Sequence, residues 1–108
     1  MTEPKDLPYT IAGRELVMQI PDLRVQILTL GPGETIPWHH HTTVSDAFIG
    51  LEGVTVVDIS APPTRHELKM GEHCYALAST PHEVSSKDGK GCRFAIVQGV
   101  GDHDFILD

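Results

Sequence analysis

Turn-forming residues recur along this chain at intervals of roughly ten residues, and no stretch between them has the length and amphipathic period of a helix. The combinations are Gly31-Pro32-Gly33, Glu52-Gly53, Ala61-Pro62-Pro63, Met70-Gly71, Thr80-Pro81 and Asp88-Gly89-Lys90-Gly91. Glycine permits positive φ and proline fixes φ, so each is a place where the backbone reverses. Such punctuation predicts an all-β chain, an antiparallel sandwich or barrel of about eight to ten strands. Asp88-Gly89-Lys90-Gly91 reads as a hairpin tip.

The segments between the turns agree. Over Asp22 to Leu30, Leu23, Val25, Ile27 and Thr29 alternate with Arg24, Gln26 and Leu28, close to the period of two of a half-buried strand. Runs rich in β-branched, aromatic or aliphatic residues follow at 47–51, 54–59, 66–69, 74–78 and 94–100. With 108 residues and no linker or repeat, the chain is expected to form a single domain over 1–108, with Met1 to Pro8 as a loose N-terminal arm.

Composition narrows the function classes. A domain of this size buries roughly 60–68% of its unfolded surface, so a metal or a second copy would add useful stability. The polar start Met1-Thr2-Glu3-Pro4-Lys5-Asp6 has no signal-like pattern, and no apolar run approaches the ~18 residues of a membrane span, so a cytoplasmic protein with no membrane partner is expected. A net charge of −7 with scattered basic residues argues against nucleic acid. Cys74 and Cys92 lack Cys-x-x-Cys spacing and read as small buried hydrophobes. No Gly-x-Ser-x-Gly elbow, phosphate loop or dinucleotide fingerprint is present.

The chemistry concentrates in Trp38-His39-His40-His41, followed closely by Asp46. In a strand, His39 and His41 share one face, while Trp38 and His40 take the other. A lone histidine is more often solvated or bonded to backbone than a ligand. Two at i and i+2 with a carboxylate near suit a divalent transition metal, and an antiparallel meander could bring His82 beside them. His66, His73 and His103 have no metal-like spacing, and His66 shares a strand face with Leu68. Phe48 is expected to fill the barrel, Gln98 carries no assigned role, and Glu34, Glu52, Glu72 and Glu83 read as solvated turn carboxylates.

The spacing Gly33, five residues, His39-x-His41, four residues, Asp46, six residues, Gly53 resembles the first motif of the cupin superfamily, over 33–53. The segment 71–86, from Gly71-Glu72 through Pro81-His82, is similar to the second motif. It departs at Leu77, Ser79 and Ser86, where the family usually has Pro, Gly and Asn. The resemblance implies an RmlC-like jelly-roll barrel of six to eight strands per face, with one divalent metal (Fe, Mn, Ni or Zn) held by His39, His41, Asp46 and His82. Asp46 stands where the family has Glu and is shorter by roughly 1.5 Å of reach. Either the backbone comes closer to give four ligands, or three histidines bind and Asp46 orients a water or an imidazole.

Two functions follow. One is a metalloenzyme acting on a small oxygen-bearing substrate, a dioxygenase, isomerase or relative. The other is a non-catalytic module that binds or senses a metal or a small molecule. A structural metal closing the barrel is a third. Small proteins of this family commonly pair through edge strands, so a homodimer with contact near Trp38 is expected.

Overall fold

The structure is a computed structural model that describes residues 7–99 and 101–108. Ten strands are present: β1 Gly13–Ile20, β2 Leu23–Leu30, β3 Ile36–His40, β4 Asp46–Gly53, β5 Thr55–Ser60, β6 Pro63–Leu68, β7 His73–Ala76, β8 His82–Ser86, β9 Cys92–Gln98 and β10 Ile106–Leu107. They form two antiparallel sheets, ordered β1-β2-β9-β4-β7 and β10-β3-β8-β5-β6, which pack face to face as a jelly roll. Five strands per sheet is fewer than the six to eight per face that the resemblance implied, and agrees with the eight to ten in all that the turns predict. The expected arm falls largely on residues 1–6, outside those described.

Alternation builds the core. Phe48, Phe94, Leu28, Leu30, Val57 and Val84 are each at most 2% exposed and belong to one apolar cluster between the sheets. Cys74 and Cys92 lie in it as free thiols, and burial pushes the Cys74 thiol up to about 11, so it serves as an apolar filler.

Two expectations about elements are corrected. In β2 the inward residues are Arg24, Gln26, Leu28 and Leu30, while Leu23, Val25 and Ile27 lie on the outer face, half-buried. Arg24 and Gln26, the inward residues at one end of β2, line a cavity, while Leu28 and Leu30 at the other end join the core. The segment Asp88-Gly89-Lys90-Gly91 is not a hairpin tip: β8 and β9 belong to opposite sheets, and the segment arches between them through a short 3-10 turn at Lys87–Gly89. Two-residue hairpins occur instead at Pro21-Asp22 and Ala61-Pro62.

Candidate metal centre

The two sheets each deliver a pair of site residues at one end of the barrel. In one sheet His39 of β3 lies directly opposite His82, the first residue of β8. In the other, Asp46 opens β4 directly opposite Gln98, the last residue of β9. His41 follows β3 on the same inward side as His39, as strand alternation requires. His39, His41, Asp46 and His82 are all at most 5% exposed, and one ligand atom from each lies within 4.8 Å of the others.

The histidines are oriented by the backbone. The Nδ1 of His39 donates to Pro37 O at 2.7 Å, that of His82 to Thr80 O at 2.9 Å, and that of His41 to Asp104 O. A ring that donates from Nδ1 leaves Nε2 as the lone-pair nitrogen, the form a metal needs. Asp46 Oδ1 accepts from Gln98 Nε2 at 3.0 Å, which turns Oδ2 toward His41 Nε2 at 2.9 Å and His82 Nε2 at 3.4 Å. His41 Nε2, His82 Nε2 and Asp46 Oδ2 are buried and have no hydrogen-bond partner outside this trio. Polar atoms that face only one another are costly in a native interior unless a shared cation or proton satisfies them together. Donor atoms of these types gathered this closely suit a single divalent ion.

Electrostatics single out one imidazole that stays neutral, His39, and one that favours positive charge beside Asp46, His41. Burial, helped by the neighbouring His82, pushes His39 down to about 3, so it is neutral at pH 7. Burial pushes His41 the same way, but the hydrogen bond and charge of Asp46 outweigh it and lift His41 above the ordinary histidine value. For Asp46, burial opposes ionisation, yet hydrogen bonds and charge from His41 and His82 win and hold its carboxyl below the ordinary range.

Residues outside the cluster sort clearly. His40 points away and meets Asp108, with Nδ1 3.0 Å from both carboxylate oxygens, and Trp38 is exposed on that same side. His66 is half-buried and His73 exposed. Glu34 ties a turn, accepting from Gly31 N at 2.6 Å and Ala12 N at 2.7 Å, and Glu72 accepts from Lys69 N at 2.8 Å. Glu52 is exposed and Glu83 lies on the outer face of β8. Phe48 fills the core, 6.0 Å from Phe94 between ring centres, and also borders the site, 5.8 Å from His82.

Sequence reasoning missed Gln98 as the residue that turns Asp46, and it missed the closing wall. A cavity of about 170 Å³ beside the cluster is lined in part by Tyr9, Arg14, Arg24, His39, His41 and Phe105. Phe105 stacks on His39 with ring centres 4.2 Å apart, and His103 also borders this cavity. Tyr9, His103 and Phe105 come from the two ends of the chain, where no motif or periodicity marks them. The Gln98–Asp46 pairing was legible only once the register of β4 against β9 was known.

The family model for the cupin domain matches residues 26–98. Among solved structures, TT1209 from Thermus thermophilus is similar at 24% identity and TM-score 0.74, covering 92% of this chain and 98% of that one. An RmlC-like cupin protein from Desulfovibrio desulfuricans has 19% identity and TM-score 0.68, covering 92% and 96%. A recombinant oxalate oxidase in complex with glycolate has 13% identity and TM-score 0.70, covering 79% of this chain but 45% of that one. At these identities the likeness concerns the fold. No curated protein matches the sequence.

Proposed function

This chain is a member of the cupin family, and from that premise we propose that it is a metal-dependent enzyme acting on a small oxygen-bearing substrate, a dioxygenase, isomerase or relative. The observation that carries the reading is the set of three buried imidazoles whose Nδ1 atoms are all spent on backbone carbonyls, leaving Nε2 to converge with Asp46 Oδ2 beside a cavity. His39, His41 and His82 would hold one divalent ion (Fe, Mn, Ni or Zn), with Asp46 Oδ2 as the fourth donor. Such an ion supplies Lewis-acid polarisation of a substrate oxygen.

The chain's own residues do the rest. Asp46 keeps a negative charge at the cluster, set in place by Gln98. Phe48 and Phe105 give the site apolar walls, and a cavity of about 170 Å³ suits a small molecule.

The test is metal analysis of untagged protein purified without chelator, then reconstitution with each ion and a screen for oxygen uptake or substrate conversion. Stoichiometric metal with turnover, both lost in His39→Ala/His41→Ala, supports the enzyme. Metal binding with ligand-induced stabilisation but no conversion supports the non-catalytic module, and no metal after reconstitution refutes both metal readings. A cytoplasmic homodimer remains our expectation; β10 covers β3, and edge strand β1 exposes Val17, Met18 and Ile20, so pairing is proposed there rather than near Trp38. A monomer mass by light scattering would reject it.

A further inference from the structure

The three imidazoles of the cluster are not oriented in the same way. His39 donates from Nδ1 to Pro37 O at 2.7 Å and His82 to Thr80 O at 2.9 Å, in each case a carbonyl two residues earlier in the chain. Those acceptors arrive with the strand that carries the histidine. His41 instead donates to Asp104 O, 63 residues away, in the segment between β9 and β10. Residues 102–105 of that segment belong to no strand, and side chains tie them down. Thr42 donates to Asp104 from N to Oδ1 at 2.9 Å and from Oγ1 to Oδ2 at 2.6 Å, so the carboxylate grips the residue next to His41. Thr43 Oγ1 accepts from Asp102 N at 2.8 Å. Gly101, at φ +127°, permits the close passage, since a Cβ there would lie 2.5 Å from that same Oγ1. Phe105 stacks on His39, and His103, Asp104 and Phe105 together form one wall of the cavity.

To take a metal, His41 must free Nε2 of any proton and keep its remaining one on Nδ1. Asp104 O is the acceptor that holds it there. Without that acceptor the remaining proton is best placed on Nε2, where Asp46 Oδ2 lies 2.9 Å away, and the two atoms then engage each other instead of an ion. We infer that Asp104 is a positioning residue for the metal centre: by gripping Thr42 it docks residues 102–105 over the cavity and sets the His41 ring, so that docking of this segment and metal binding are coupled. The inference rests on the metal-binding half of the function proposed above. Two of the histidines are ready whenever the barrel is folded, and the third is ready only when the cavity wall is in place.

Competition between the full chain and a chelator for Zn(II) tests this. Asp104→Ala should lower affinity about tenfold or more, as loss of a group that orients a ligand does. Asp104→Asn removes the charge but keeps the grip, because its Oδ1 can accept from Thr42 N and its Nδ2 can donate to Thr42 Oγ1. It should bind within about threefold of wild type, which separates positioning from simple attraction between a carboxylate and a cation. Coupling is reciprocal, so Zn(II) should slow exchange of the Asp102 amide in wild type by a factor similar to the Asp104→Ala loss. The reference is the amide of Gly33, bonded to Gly89 O beyond the opposite end of β3. Thermal melting separates lost affinity from lost folding, and the Asn variant and the exchange measurement decide the matter if Asp104→Ala does not fold. A folded Asp104→Ala that binds like wild type, an Asp104→Asn that loses as much as Asp104→Ala, or an Asp102 amide indifferent to Zn(II) would each overturn the proposal while the metal site stands. No Zn(II) bound by wild type would overturn the metal-dependent reading and this coupling with it.

Discussion

At the scale of single residues, the site is built from atoms that each have one assigned task. Gln98 shows this best, since its amide accepts from Arg24 on one side and donates to Asp46 on the other. Replacing it by leucine keeps the volume but leaves Asp46 unoriented, so Gln98→Leu should lower metal affinity by about 10- to 100-fold, read by competition with a chelator. Unchanged affinity would mean that Asp46 is held without it. Protonation gives a second prediction for the metal-free protein. His39 has its folded value near 3, below the unfolded 6.5, so the unfolded chain binds the extra proton first. That contribution is fully present above pH 6.5 and is lost as pH falls toward 3. The lowered Asp46 adds a loss below its unfolded value of 3.8, whereas the raised His41 contributes below 6.5 and loses its share as pH rises through its folded value. Urea unfolding should therefore show stability falling from pH 6.5 toward 3, with a shallower fall in His39→Gln.

Among the elements, backbone geometry decides what the motifs mean. Gly33 and Gly71, the opening glycines of the two motifs, have φ of +75° and +82° with open space at the Cβ position, so their role is conformational. Ser79 stands where the family usually has glycine and adopts φ +64°; its N donates to His41 O at 2.7 Å and its Oγ to Thr42 O at 3.2 Å. Those bonds hold the strained backbone and tie the segment before His82 to the one after His41. Gly50 is a different case. A Cβ there would lie 2.4 Å from Lys69 O, because the β6–β7 turn crosses β4 at that point and Gly50 exchanges backbone hydrogen bonds with Gly71 and Glu72. Gly50→Ala should cost about 1–3 kcal/mol in urea unfolding, with a loss below about 0.5 kcal/mol contradicting the close approach. Turn positions were legible because glycine and proline carry their own signal. Which sheet each turn serves was not, and so the Asp88–Gly91 arch read as a hairpin.

For the whole molecule, the jelly roll followed from the turn pattern and the family resemblance, and the His39, His41, Asp46 and His82 cluster was what the resemblance of the two motifs implied. Strand alternation correctly separated His39 and His41 from His40. What escaped were the residues that long-range pairing brings in: Gln98 through β4 against β9, Arg24 turned inward on β2, and Tyr9 and Phe105 from the chain's two ends. No local pattern marks them, because their neighbours in space lie up to about a whole chain length away in sequence. A metal centre of this design requires that the inward-facing and outward-facing histidines differ in kind. Metal titration of wild type, His82→Ala and His40→Ala, each checked for folding, measures this directly. One ion per chain in wild type and His40→Ala, with none held stoichiometrically by His82→Ala, is the result predicted; equal binding in all three, or equal loss in both variants, would contradict it.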